Sequence, residues 1–354
     1  MAAHAIIQAV LLKLDKGSDH IQIRKESNQL YKKLLVAADG SDGSKAALDE
    51  AAKLARIGES EIVLLNVILS PEAYRGYYPH SKATREQLVE IGQKVIEGTV
   101  SGVDLTDIKL TRKVHVGGSP VLEILDEAGQ SDPDLIVMGS NGLGGFAHTL
   151  LGSVSLKVLK TAMHPVLIVK DHKTIDKLSG NYDKAYYTHT KKTYDKILVG
   201  TDGSEGSREA FAEALKIAKH NNCEIILLSV VPRPPEYYGM IDEAKFLEAG
   251  QEIIDKTLKG IDTGEIKLIK KVKSGSPAME IVSEANEQEA DMIIMGSNGI
   301  GIFVGTILGS VSEMVLKTAL CPVLIVKDAD TRDKLRANSI EGYYEKLKAK
   351  QAGL

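Results

Sequence analysis

Cysteine is scarce in this chain of 354 residues: only Cys223 and Cys321 occur, both in the second half, without partners at metal-ligand or disulfide-framework spacing. That excludes a disulfide scaffold and a cysteine metal centre, and the two thiols read as small buried hydrophobes of a reducing cytoplasm. Neither sign of charge dominates. A net charge of −4, with acids and bases interspersed, provides no basic face for nucleic acid or an anionic membrane. Ahead of residue 31, Ile6, Ile7, Val10, Leu11 and Leu14 would share one face of a short helix, but the run is too brief to span a bilayer. It also lacks the basic start and small-residue cleavage site of a secretory signal, so a docking helix and an unstructured leader both remain readings of residues 1–30. The histidines show no HExxH-type spacing, and no metal site is expected. GxxxxGK[ST], protein-kinase and GxSxG signatures are also missing, and no catalytic residue is assigned.

What the chain does contain is glycine in a repeated pattern. Gly139 to Ser153 reads GSNGLGGFAHTLLGS, and Gly296 to Ser310, 157 positions later, reads GSNGIGIFVGTILGS. Each is Gly, two residues, Gly, nine residues, then Gly-Ser, and each follows an apolar run, Leu135 to Met138 or Met292 to Met295. A glycine-rich turn leaving a buried strand can present bare backbone N–H groups to an anion.

The duplication extends further. Leu34 to Leu48 matches Ile197 to Phe211 at an offset of 163, and Val116 to Pro120 matches Lys273 to Pro277 at 157. The six missing residues come out of tyrosine-bearing loops around Tyr77 and Tyr237. VKDHKTIDKL from Val169 repeats as VKDADTRDKL from Val326, and Tyr186-Tyr187 answers Tyr343-Tyr344. So long a period indicates a duplicated domain over 31–170 and 194–327, with a linker over 171–193 and a tail over 328–354. A 43% hydrophobic content can supply two cores, and 26% charged residues can cover them.

Strands and helices alternate in each repeat. The strands expected are Lys33 to Ala38, Glu61 to Val67, Lys109 to Val116, Leu135 to Gly139 and Val166 to Val169, then Lys196 to Thr201, Glu224 to Val230, Ile266 to Val272, Asp291 to Gly296 and Val323 to Val326. Near-continuous apolar strands between amphipathic runs such as Ala47, Leu48, Ala51, Ala52 and Ala55 predict an α/β fold with parallel sheets covered on both faces. Ligands bind such sheets beyond the carboxyl ends of the strands, where the strand order reverses. Three segments reach that edge. Strand one brings Asp39 or Asp202 with serines able to cap the next helix, strand three brings Ser119-Pro120 or Ser276-Pro277, and strand four brings the glycine loop, whose final Gly-Ser opens a helix toward phosphate. Asn141 and Asn298 read as turn residues or as groups orienting a water.

These motifs resemble the universal stress protein family, in a tandem arrangement covering nearly all of the chain. The family's ATP-binding signature is the G-x2-G-x9-G-[ST] pattern above, and Val154-Ser155 and Val311-Ser312 continue it. The resemblance implies two doubly wound five-stranded parallel sheets of order 3-2-1-4-5. It also implies an adenine nucleotide bound by Ala38, Asp39 and Val67 on the base side, with Gly139, Gly142, Gly152, Ser153 and Val154 around ribose and phosphates. Thr201, Asp202, Val230, Gly296, Gly299, Gly309, Ser310 and Val311 are the equivalents in the second repeat. One departure stands out: His148 is the only basic residue in the first glycine loop, and the second has none. Phosphate would then rely on backbone N–H groups, helix dipoles, hydroxyls and Mg²⁺, which puts AMP, ADP or a cyclic nucleotide in competition with ATP. Lys157 and Lys317 lie one turn into the next helix, where lysines are usually solvated.

The expected function is that of a stress-response regulator whose bound nucleotide shifts a surface read by a protein partner. A slow ATPase or nucleotide hydrolase, and a nucleotide-independent scaffold, are the alternatives. The apolar edge Val166 to Val169 invites pairing with Val323 to Val326, which would form within one chain the dimer contact that the resemblance implies. A further homodimer of chains is left open.

Overall fold

Branched apolar runs become strands and alanine-bearing amphipathic runs become helices in a computed structural model that describes residues 29–70, 83–142, 150–179, 191–233, 243–299 and 308–339. The first half holds β1 (Lys33–Ala38), β2 (Glu61–Leu69), β3 (Leu110–Gly117), β4 (Leu135–Gly139) and β5 (Val166–Val169). The second holds β6 (Lys196–Thr201), β7 (Glu224–Pro232), β8 (Leu268–Gly275), β9 (Met292–Gly296) and β10 (Val323–Val326). Between and after them lie α1 (Asp42–Gly58), α2 (Arg85–Val100), α3 (Pro120–Ser131), α4 (Ser153–Thr161) and α5 (His172–Leu178), then α6 (Glu205–Asn221), α7 (Glu243–Leu258), α8 (Pro277–Glu287), α9 (Ser310–Thr318) and α10 (Ala329–Ser339). Two pairs of strands run past their expected ends because each borrows length from its neighbour: β2 and β3 pair through Leu69 and Gly117, β7 and β8 through Pro232 and Gly275.

The segments read as linker and tail open with helices instead. In each, the Asp of the repeated Val-Lys-Asp caps the helix, with Asp171 Oδ1 accepting from the Thr174 N–H at 2.8 Å and Asp328 Oδ1 from the Thr331 N–H at 2.7 Å. The leader run from Ile6 to Leu14, the loops around Tyr77 and Tyr237, His148 and both Tyr-Tyr pairs lie outside the described residues.

All ten strands join one sheet in the order β3-β2-β1-β4-β5-β10-β9-β6-β7-β8. Each half keeps the order 3-2-1-4-5, and its strands are parallel. Alternate side chains of each strand go to opposite faces. On one face Leu34, Val36, Ile62 and Val137 pack with Leu48, Leu54 and Phe211; on the other Leu35, Val63, Ile136 and Ile168 pack with Val158, Leu316 and Ile325, so both cores run through both halves.

The halves meet where β5 and β10 pair antiparallel, Leu167 opposite Leu324 with Val166 opposite Ile325 and Ile168 opposite Val323. Identical apolar edges thereby satisfy each other's backbone. Behind this seam two polar contacts cross reciprocally: the Tyr31 hydroxyl donates to Glu213 at 2.5 Å, and the Tyr194 hydroxyl to Glu50 at 2.6 Å. Lys216 lies 4.4 Å over the Tyr31 ring and Lys53 lies 4.1 Å over that of Tyr194. Burial first, and then the neighbouring carboxylate, holds both phenols well above their ordinary pKa, so they stay donors. Because Glu50 is 1% exposed, Tyr194→Phe should cost about 1–3 kcal/mol of stability by removing its cross-seam donor, measured by urea unfolding.

Candidate functional site

Strands β1 and β4 lie side by side while their successors depart to opposite sides of the sheet, and β6 and β9 repeat this arrangement. The reversal opens a crevice beyond the strand ends. Ala38 and Asp39 arrive there from β1, Val67 from β2, Gly139 through Gly142 from β4, and Gly152 through Val154 at the start of α4. Thr201, Asp202, Val230, Gly296, Gly299, Gly309, Ser310 and Val311 occupy the same places in the second half. Val67, Val154, Val230 and Val311 all lie half-buried against the same core face.

The three glycines of each loop answer to different neighbours. A β-carbon on Gly139 would lie 2.6 Å from the backbone of Gly43, and one on Gly296 would lie 2.7 Å from that of Gly206, so the first glycine lets the N-terminus of α1 or α6 close onto the strand end. On Gly142 or Gly299 it would meet the Oδ2 of Asp39 or Asp202 at 2.3 Å, so the second glycine makes room for the strand-tip carboxylate. The third is unlike these. Among the described residues a β-carbon on Gly309 would meet nothing nearer than the Ser297 carbonyl at 3.5 Å, an ordinary contact, whereas on Gly152 the Ser140 carbonyl at 3.2 Å would have to yield slightly. Their φ values, −68° and −72°, suit any residue. Packing within the described chain gives Gly309 no reason to be glycine.

Each third glycine is the N-cap of α4 or α9, and neither makes a side-chain cap bond. By contrast, the serines after strand one cap α1 and α6 as expected, Ser41 Oγ accepting from the Ser44 N–H at 3.1 Å and Ser204 Oγ from the Ser207 N–H at 3.2 Å. Ser119 and Ser276 stand at N-cap positions before Pro120 and Pro277, but their side chains make no cap bond. Their ψ angles of 122° and 113°, against 162° and 163° at Ser41 and Ser204, carry the hydroxyl away from the helix.

Asp39 and Asp202 each use one oxygen to hold the following turn, accepting from the Ser41 N–H at 3.0 Å and the Ser204 N–H at 3.1 Å, while the other faces the glycine loop. Around strand one the halves differ. Asn66 donates to the Ala38 carbonyl at 2.8 Å in the first. In the second, the Thr201 hydroxyl meets those of Thr257 at 2.6 Å and Ser207 at 3.0 Å, and accepts from the Gly203 N–H at 3.2 Å. Ser155 and Ser312 donate to the Gly139 and Gly296 carbonyls at 2.8 and 2.9 Å and tie each loop's two ends together.

Two lysines near the crevices are engaged by carboxylates. Lys317 is bound to Glu313 at 2.6 Å, a bond that holds the Glu313 carboxyl below its ordinary pKa, and Lys173 is bound to Asp42 at 2.5 Å. Among the described residues no group of three His, Cys, Asp or Glu could hold a metal ion. The side-chain oxygens of Asn141 and Asn298 and the hydroxyls of Ser140 and Ser297 are buried without a hydrogen-bond partner among the described residues, in matching positions of both halves. Such acceptors suit a hydroxylated ligand or water.

Sequence reasoning did not single out the seam residues Tyr31, Glu50, Lys53, Tyr194, Glu213 and Lys216, or the buried lysines Lys170 and Lys327. All were discoverable as pairs at the repeat offsets of 163 and 157.

The universal stress protein family profile matches residues 30–170 and 193–327. A universal stress protein of Mycolicibacterium smegmatis is 27% identical over 306 residues, which is 83% of this chain and 96% of that protein. One from Methanocaldococcus jannaschii is 38% identical over 141 residues, 38% of this chain and 82% of that protein. A solved universal stress protein from Archaeoglobus fulgidus superposes with a TM-score of 0.57 at 26% identity, covering 83% of this chain and 98% of its own. With two matches that span most of its length, and a sheet order repeated on both sides of a central seam, the chain belongs to the universal stress protein family.

Proposed function

We propose that this is a stress-response regulatory protein that binds an adenine nucleotide at the strand-end crevice of each half. The observation that carries the reading is the third glycine of the second loop: the φ of Gly309 and its described surroundings would accept a side chain, yet this half, like the first, keeps glycine at a helix start without a side-chain cap bond. A phosphate seated there would meet the exposed first-turn N–H groups and the positive end of the helix dipole. Asp39 and Asp202 face ribose or base from the other side, and the half-buried valines offer an apolar wall for adenine. The shortage of cations favours AMP, ADP or cyclic nucleotide as competitors of ATP, with Mg²⁺ entering alongside the phosphates rather than on a protein site.

Ser153 and Ser310 are exposed first residues of α4 and α9. Aspartate is favourable to a helix at that position but repels phosphate. Ser153→Asp combined with Ser310→Asp should therefore leave the melting temperature of the ligand-free protein within about 2 °C while abolishing stabilisation by nucleotide, which at 100-fold excess over Kd is about 2.7 kcal/mol per site. Flat calorimetry of the wild-type protein against AMP, ADP, ATP and cyclic AMP would overturn the reading. Mass spectrometry of small molecules released from gently purified protein would name the resident ligand.

A further inference from the structure

The last turn of a helix leaves carbonyl groups without intrahelical donors, and a buried one needs a partner from elsewhere. In α9 that partner comes from the other half of the chain. The Nζ of Lys170 donates to the Leu316 carbonyl at 2.7 Å, across 146 residues of sequence. Lys170 directly follows β5 and is 1% exposed, and Leu316 is fully buried. Toward its other end, about 10 Å from Leu316 along the axis, α9 begins at Gly309-Ser310, the phosphate end of the second crevice. A cation at the C-terminus complements the same dipole whose positive end faces the phosphate.

We propose that Lys170, carried by the first half, is a positioning residue for the second nucleotide site: through the Leu316 carbonyl it fixes the helix whose N-terminus receives the phosphate. The proposal rests on the nucleotide reading above. The support is one-sided. Lys327 follows β10 as Lys170 follows β5, and it is equally buried, but its Nζ has no hydrogen-bond partner among the described residues. The residues facing the two lysines differ as well, Cys321 acting on Lys170 where His164 is coupled to Lys327. Among the described residues the first half thus steadies the second site without an equivalent return.

The clamp also carries a pH signature. Burial pushes Lys170 down to about 8, whereas the same burial pushes Cys321, the titratable group that acts on it, up to about 12 and keeps that thiol neutral. Raising the pH through 8 removes the charge from the end of α9 and leaves a weaker donor. Binding at the second site should weaken over that interval, and binding at the first should not follow it.

Two backgrounds separate the sites: Ser153→Asp leaves the second to be measured, and Ser310→Asp leaves the first. Calorimetry with AMP, ADP and ATP in turn should show Lys170→Met weakening the second site about tenfold, the scale of a partly buried charge at a helix terminus. The first should change less than about twofold, and Lys170→Arg should restore most of the loss, since it keeps charge and donors. Hydrogen exchange should report faster exchange in residues 310–318 of Lys170→Met and no change in 153–161. Equal weakening at both sites, unchanged exchange in 310–318, or a second site indifferent to pH between 7 and 9 would overturn the proposal. The wild-type pH series decides even if Lys170→Met folds poorly. Absence of all nucleotide binding by the wild-type chain would instead overturn the functional reading, and the positioning role with it.

Discussion

Lys327→Met raises the unfolding free energy by about 2–4 kcal/mol at pH 6, an expectation that follows from a buried ammonium at the seam with no hydrogen-bond acceptor among the described residues. Lys327 is 1% exposed, and burial, with a smaller contribution from Arg332, pushes it down to about 7. An unfolded lysine titrates near its ordinary 10.5. Between these values the unfolded chain holds more protons than the folded one, so wild-type stability rises with pH across the interval. The destabilisation is complete below pH 7 and fades as pH approaches 10.5. Methionine, of similar length and without charge, removes it. The advantage of the variant should therefore be greatest at pH 6, smaller at pH 8.5 and close to nothing at pH 10.5, measured by urea unfolding at each pH. His164 shares this corner of the seam and is itself held below its ordinary pKa by burial, with Asp132 opposing. His164→Gln as a control should leave the Lys327 slope in place. A variant advantage that does not vary with pH would show that Lys327 finds a compensating partner in solution.

Gly296→Ala should destabilise the protein by about 3 kcal/mol, while Gly309→Ala, thirteen residues on in the same signature, should cost less than about 1 kcal/mol. At Gly296 the added methyl meets Gly206 C at 2.7 Å, its carbonyl oxygen at 2.9 Å and the Ser207 nitrogen at 3.0 Å. All three belong to the backbone of α6, so relief requires moving a helix off the sheet. At Gly309 the methyl has ordinary contacts and an ordinary φ, and only the modest preference of N-caps for glycine over alanine opposes it. The effect on binding should be reversed in character, since the methyl on Gly309 stands in the path of the phosphate. Thermal unfolding and ADP calorimetry on the two variants test both halves of the contrast. Equal stability losses would remove the argument that the third glycine is kept for a ligand.

The strands are legible because the chain writes them twice, and their order through the family resemblance. Val166 to Val169 and Val323 to Val326 are identical apolar tetrads whose ends coincide with the expected ones, and their pairing across the seam follows from edges that nothing else would cover. Strand ends set by a neighbour are less legible: β8 begins at Leu268, opposite Ile225 near the start of β7, and runs on to Gly275 because β7 extends to Pro232 beside it, which no local property of Ile266 or Lys273 announces. Among the candidate site residues, the pattern located the glycine loops but could not divide the labour within them. That Gly139 serves helix packing, Gly142 a carboxylate and Gly152 an open helix start depends on what stands opposite each, and only coordinates supply it. The helices after β5 and β10 are less legible, because the caps that open them, Asp171 and Asp328, stand in segments rich in charge and poor in apolar periodicity.

The central antiparallel join has one more consequence. In an assembly of separate subunits, the fraction of complete pairs falls as the protein is diluted; here the partner arrives on the same polypeptide, at an effective concentration that dilution cannot touch. Both crevices are therefore available together whether a cell holds few copies or many. Under the proposed function, occupancy would then follow the nucleotide supply without depending on subunit pairing.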